Sequence, residues 1–336
     1  MSSTSWKEDL APGEAEKFER LAATLRELQR TNSGGKDRGL HAKGQAGLEA
    51  ELTTLPDLPE ALRVGIFAAP KAYRAYVRFS NGSGSRQHDK VSDVRGIGVK
   101  VVGVPGTKLI PGMEDAQTQD FLLIRAPATP FKDAAEFVGF VKAASASRAL
   151  LLPRLVGLIG VRRTLKLLRA LPKGLGAPVP SLASGRYFSA LPLRWGDAAA
   201  KLVLAPLQPP VEGKTPADLG GELAARLAQG PLAWELGVQL YVDDVKTPIE
   251  DARVEWLASD APPVPVAKLV LPRQDVASPR GHALAAFVEA LSFDPWHAPV
   301  EFRPLGDMMR ARSAAYREST KARHAAPEPN GSETFA

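Results

Sequence analysis

The chain of 336 residues contains no cysteine, which excludes a disulfide framework, a zinc site built on thiolates and a cofactor held through a cysteine sulfur. It also lacks a long apolar run. The most leucine-rich stretch, residues 149–171, carries Arg154, Arg162, Arg163, Lys166 and Arg169 and is too short and too charged to span a bilayer. The N-terminus, Met1-Ser-Ser-Thr-Ser-Trp-Lys-Glu-Asp, has no basic region followed by an apolar stretch, so no secretory signal is visible and a cytoplasmic location is expected. Aromatics make up 7% of residues and the net charge is +6. The basic residues are not interleaved with aromatics on one face, so nucleic acid is not an expected partner.

What is present reads as an antiparallel α+β fold. Glu14 to Arg30 predicts an amphipathic helix with Phe18, Leu21, Leu25 and Leu28 in one stripe, broken at Gly34-Gly35. Alternating or β-branched runs follow at 75–80, 96–102 and 120–124, separated by Gly and Asp turns. A helical insert is expected at about 132–171, ended by the Pro/Gly stretch 172–180. Strand patterns return at 186–195, 200–205, 235–242 and 267–271. Strands, then helices, then strands argue against a parallel βαβ arrangement. The length allows two domains, but a large β-barrel with attached helices takes this much chain as one. The expected organisation is a helix and arm at 1–35, one domain at 36–324 and a disordered polar tail at 325–336. In 149–171 the leucines recur at helical spacing with the cations mostly elsewhere on the wheel, which suits either a core-packed helix or peripheral contact with an anionic membrane.

Two short motifs at opposite ends carry the chemistry. Arg312-x-x-x-Tyr316 on a helix puts a guanidinium one turn before a phenol on the same side. Phenols ionise near pH 10, but a permanent cation and a ferric ion both favour the phenolate, and with no cysteine an iron must be held by Tyr, His or Met. Arg38-Gly-Leu-His41-Ala-Lys-Gly44 supplies an imidazole able to move a proton. Between them come Tyr76-Val-Arg78-Phe-Ser80-Asn-Gly, Asp93-Val-Arg95-Gly96-Ile-Gly-Val-Lys100 and Thr118-Gln-Asp120-Phe121. Trp234-Glu-Leu-Gly-Val-Gln239, Pro265-Val-Ala-Lys268 and Phe293-Asp294-Pro295 follow. In order and approximate spacing, over residues 36–324, this series resembles the heme catalases and their small catalase-related peroxidases.

The resemblance implies a catalase-like antiparallel eight-stranded β-barrel with surrounding helices, and heme b packed against its outside. It implies Tyr316 as the axial iron ligand with Arg312 beside it. His41 would be the distal base that takes a proton from one peroxide oxygen and returns it to the departing one, with Ser80 orienting its imidazole. Arg38, Arg78 and Arg323 match the positions that hold the heme propionates. Phe131 stands near an aromatic against the heme face, with core packing an equal reading. The implied partners are peroxide and a small-molecule electron donor, and the expected assembly is a homodimer.

One departure bears on the reaction. True catalases carry a distal asparagine near the segment matched by Thr118-Gln119-Asp120, where this chain has Glu114-Asp-Ala-Gln117. Gln117 offers an amide on a longer arm and Thr118 a hydroxyl. The expected activity is therefore reduction of hydrogen peroxide or organic hydroperoxides, with weak or no catalase activity. Catalase proper, rearrangement of lipid hydroperoxides in the manner of allene oxide synthases, and non-catalytic heme binding are the alternatives. His88 beside Asp89 reads as a surface loop, since no third metal ligand has suitable spacing. Val104-Pro-Gly106-Thr-Lys108 reads as a turn, and His282 and His297 have no assigned role.

Overall fold

The computed structural model describes residues 5–33, 38–146, 148–175 and 177–335; the Gly34-Gly35 break expected after the first helix lies outside the described residues. In chain order the elements are α1 (Glu14–Ser33), β1 (Gly44–Thr54), β2 (Ala72–Asn81), β3 (Arg95–Val102), β4 (Thr118–Ile124), α2 (Ala134–Ala146) and α3 (Arg148–Leu175). Then follow β5 (Tyr187–Phe188), β6 (Leu193–Trp195), β7 (Ala198–Pro206), α4 (Leu219–Gln229), β8 (Leu232–Leu240), β9 (Val264–Leu271), α5 (Pro279–Ala290) and α6 (Asp307–Ala322). All strand pairings are antiparallel.

The sheet runs β5-β4-β3-β2-β1-β9-β8-β7-β6, and β5 also pairs with β7. That extra pairing closes the ring. β5 and β6 lie on the same side of β7, Tyr187 opposite Leu204 and Leu193 opposite Ala200, so they form one interrupted strand. The result is a closed eight-stranded antiparallel barrel. Closure satisfies the backbone groups that an open edge would expose.

Inward-facing residues alternate with outward-facing ones along each strand. Val77, Phe79, Ile97, Val99, Phe121 and Leu123 are all 4% exposed or less. Aromatics fill the interior: Phe67 packs against Trp195 with ring centroids 4.7 Å apart, and Trp195 meets Phe302 at 5.0 Å. Each fully buried side chain of this size contributes about 2 kcal/mol.

Strands β2, β3 and β4 coincide with the three runs expected from the sequence, and α2 and α3 with the helical insert. β1 was not expected to be a strand. Gly44-Gln-Ala-Gly-Leu-Glu-Ala-Glu-Leu-Thr-Thr54 is poor in strand-forming residues, yet Leu48, Ala50 and Leu52 alternate into the core, and β1 is paired on both sides, with β2 and β9. Outward-facing Gly47 explains part of the composition. A Cβ there would lie 2.8 Å from Val288 Cβ, so glycine lets α5 pack directly onto the barrel.

The C-terminal segment lacks regular secondary structure through residue 335, as its composition suggests, but it is docked, not disordered. Glu328 reaches the fully buried Lys100 at 2.5 Å, alongside Asp120 at 2.7 Å, and accepts hydrogen bonds from Thr118 (2.8 Å) and Ser292 (2.6 Å). Phe335 packs on Tyr76 and Phe287. A buried ammonium needs these partners, because isolated charge is costly in a low-dielectric interior. The Lys100 ammonium holds the Glu328 carboxyl well below the usual carboxylate range, outweighing the opposing effect of burial. This stabilisation is complete above the unfolded carboxylate pKa and is lost as pH falls below it. Glu328→Ala is expected to cost roughly 3 kcal/mol at pH 7, with a smaller difference from wild type at pH 3, measured by urea unfolding.

Candidate active site

The register between β2, β3 and β4 builds one wall of a cavity on the outside of the barrel. Ser80 lies opposite Gly96 and Arg78 opposite Gly98; Gly96 in turn faces Ile124, and Gly98 faces Leu122. All six line the cavity, whose volume is about 300 Å3. The glycines are required by close approach. A Cβ on Gly96 would sit 2.7 Å from His41 Cε1, and one on Gly98 2.8 Å from Phe293 Cδ1.

His41 precedes β1 in a left-handed backbone conformation, φ 55°, which costs a non-glycine residue on the order of 1 kcal/mol. Neighbouring hydrogen bonds hold it there: its N–H donates to Gly82 O at 3.0 Å, and Arg78 donates to its carbonyl at 3.0 Å. Its Nδ1 lies 2.9 Å from Ser80 Oγ. Two residues on, Lys43 pairs with the buried Asp89 at 2.6 Å. Asp89 also accepts from Gln45, Asn81 and the backbone of Leu219, tying the His41 loop to β2 and α4. His88 itself is exposed, in agreement with a surface loop.

The second wall comes from α6. Arg312 donates to the Tyr316 hydroxyl at 2.6 Å and its guanidinium carbon lies 4.9 Å from the ring centroid, the one-turn geometry expected from the spacing. The start of α6 is anchored by carboxylates: Glu8 accepts from Gly306 N–H, Glu250 from Asp307 N–H, and Arg310 bridges Glu8, Glu14 and Glu250. Negative charge at a helix N-terminus is favourable. α1 closes a third side through Leu21, Ala22 and Leu25, which accounts for half of its apolar stripe, while Phe18 packs with Ala134 and Ala311.

Arg38, Arg78 and Arg323 converge at one end of the cavity. Arg38 and Arg78 both bind Glu289 of α5, Arg78 at 2.8 Å, and Arg38 and Arg323 each donate to Leu291 O at 2.7 Å. Gly44 makes room for this: a Cβ there would be 2.7 Å from Glu289 Oε2. Three guanidiniums thus share one carboxylate among the described residues, a surplus of two positive charges. Burial, then Arg78 and Arg323, push the Arg38 guanidinium below its ordinary value. Glu289 was not singled out from the sequence, because a glutamate late in a helix is ordinarily a solvated charge.

Two expected site residues stand elsewhere. Gln117 is exposed in the turn before β4, with its amide donating to Asp115 O at 3.2 Å, and it does not line the cavity. The neighbouring Thr118 is buried against His297 (2.9 Å) and Glu328. Neither replaces a distal amide. Phe131 packs between Phe137 and Phe140, centroids 5.3 and 5.1 Å away, in the cluster under α3, and Phe137 faces the cavity in its place. The amide that does line the cavity is Gln29, from α1.

The cavity fits the heme suggested by the sequence motifs. The wall stripped to backbone at Gly96 and Gly98, the mainly apolar lining, the two-charge cationic surplus and the phenol beside Arg312 fit a flat apolar dianion with a metal at its centre. Among the described residues there is no group of three His, Asp or Glu side chains able to hold a bare metal ion.

Burial, followed by the fields of Arg78, Arg312 and Arg38, pushes the His41 imidazole down to about 3. It is neutral at physiological pH and so free to accept a proton. The unfolded chain binds a proton at His41 near pH 6.5 and the folded chain does not, so His41 contributes stability present above that pH and lost toward pH 3. His41→Gln is expected to narrow the stability difference between pH 7 and pH 4.5 by up to about 2 kcal/mol, read from denaturant midpoints of the two proteins at both pH values.

No protein-family model matches the sequence. The chain is 28% identical over 313 residues to a catalase-related peroxidase of Mycolicibacterium paratuberculosis, covering 85% of this chain and 88% of that protein. Solved structures with the same fold include a fungal catalase (TM-score 0.66, 18% identity, 88% of this chain) and catalase A of Saccharomyces cerevisiae (TM-score 0.64, 15% identity, 96% of this chain). The chain spans 60% and 67% of the length of these two catalases. It therefore has the catalase fold, in a small form similar in sequence to the catalase-related peroxidase.

Proposed function

We propose that the chain is a heme-dependent enzyme that acts on peroxides, and that it works as a peroxidase in preference to a catalase. The observation that carries this reading is the meeting, in one cavity, of the Arg312-backed Tyr316 phenol and the neutral His41 imidazole held by Ser80. The fold and the similarity to a catalase-related peroxidase support the same class of reaction. Heme b, when bound, supplies a ferric iron at which a peroxide oxygen–oxygen bond is cleaved and through which oxidising equivalents pass to a donor.

The chain's own residues have separable tasks. Tyr316 would hold the iron through its phenol oxygen, which Arg312 positions by donating a hydrogen bond to it. Arg38, Arg78 and Arg323 would bind the propionates by charge-assisted hydrogen bonds, using the two charges that Glu289 leaves uncompensated. With Nδ1–H donating to Ser80 Oγ, His41 keeps Nε2 as a proton acceptor. It would take a proton from the inner peroxide oxygen and deliver it to the outer one, so that the departing fragment leaves as water or an alcohol. The apolar lining excludes bulk water from this transfer and admits peroxides with organic substituents. The preference for peroxidase chemistry rests on Gln117, which is turned away from the cavity and so does not supply the amide expected from the sequence.

Tyr316→Phe is expected to alter the absorption spectrum of the heme-loaded protein, whereas His41→Ala should leave heme loading intact and lower turnover by about 100-fold or more. Parallel measurement of oxygen release and dye oxidation after hydrogen peroxide addition should favour dye oxidation. An unchanged spectrum for Tyr316→Phe would defeat the ligand assignment, and rapid oxygen release with little dye oxidation would defeat the peroxidase preference.

A further inference from the structure

The net positive charge of this chain comes from one segment. Residues 137–196 contain ten Lys and Arg and no Asp or Glu, while the remainder holds 33 basic against 37 acidic residues. Most of that segment is α3 and the end of α2. α3 buries Leu155 and Leu167 in a cluster with α2, so core packing accounts for only part of its apolar side chains. The backbone of α3 breaks at Gly160 (φ 74°), and on the two sides of the break Leu150, Leu152, Leu158, Val161 and Leu165 are each 47–61% exposed. These are five of the eleven exposed large apolar side chains among the described residues, an unusual concentration for a surface helix.

Lys142, Arg154, Arg162, Lys166 and Arg169 are exposed beside them, and among the described residues no carboxylate pairs with any of the five. Arg163 is the exception, bound to Glu136 at 2.5 Å. A face that is both apolar and purely cationic restricts what can cover it. A second copy placed symmetrically would set cation against cation. A nucleic acid would match the charge but leave five apolar side chains against phosphates. An anionic lipid surface satisfies both, with leucines in the acyl boundary and guanidiniums and ammoniums among the headgroups. Among the described residues no helix is long and apolar enough to cross a membrane.

We propose that the exposed apolar and cationic side chains of α3 seat this protein on an anionic bilayer. The position relative to the cavity gives the contact a use. Phe137 of α2 lines the cavity and packs in the α2–α3 cluster, so one helix separates the docking face from the site. Resting on the peroxide reading above, this makes hydroperoxides of membrane lipids the matching substrate class.

Full-length protein should co-sediment with vesicles of phosphatidylcholine mixed equally with phosphatidylglycerol, and about ten-fold less with phosphatidylcholine alone or at high salt. Leu152→Asp/Leu165→Asp and Arg154→Glu/Lys166→Glu should each reduce binding by about ten-fold while keeping the wild-type thermal midpoint, since none of these side chains is buried or lines the cavity. In heme-loaded protein the same variants should retain turnover of a soluble peroxide and lose it for phospholipid hydroperoxide in anionic vesicles. Absence of anionic-vesicle binding by wild type, binding unaffected by either variant, or a solution dimer dissolved by Leu152→Asp/Leu165→Asp would each overturn docking. Failure to turn over any peroxide with vesicle binding intact would remove the peroxide reading and leave the docking face standing.

Discussion

The antiparallel register between β2 and β3 is the constraint on which the rest of the cavity depends. It sets Ser80 against Gly96 and Arg78 against Gly98 on the outer face, with Phe79, Ile97 and Val99 inside. A slip of one residue would turn Ser80 and Arg78 into an interior filled by Phe and Trp. Because both faces are specified, by apolar burial inside and by the His41 and α5 contacts outside, the register has no competing solution.

Electrostatics then divides this face in two. At the cavity, arginines outnumber carboxylates and His41 is forced neutral. One step further along the same strands, Lys100 and Asp120 form a fully buried pair that recruits Glu328 from the C-terminal segment. The two regions adjoin through Phe293, which lines the cavity and has Lys100 Nζ 5.6 Å from its ring centroid. A cationic surplus beside a compensated network allows the cavity to attract an anion without loosening the barrel around it.

Much of this was legible from local pattern. β2, β3 and β4 alternate strongly, α1 and the helical insert have clear periodicity, and the spacing of Arg312 and Tyr316 sets their contact within one turn of helix. β1 was hidden because its glycines and glutamates answer to packing against α5 and to the solvent, not to strand propensity. Glu289 was hidden for a related reason. Its role arises only when α5 lands on Gly44 and Gly47, bringing a helical carboxylate against two arginines remote in sequence.

By itself the sequence determined the antiparallel α+β class, the arginine–tyrosine pair on one helix and the imidazole motif, since each rests on contacts within a few residues. Tertiary structure alone decided that these ends share a cavity, that Gln117 and Phe131 stand outside it, and that the C-terminal segment is held by a buried lysine. Those outcomes depend on which surfaces meet. That is a matter of register and close approach between segments far apart in the chain, which no local periodicity encodes.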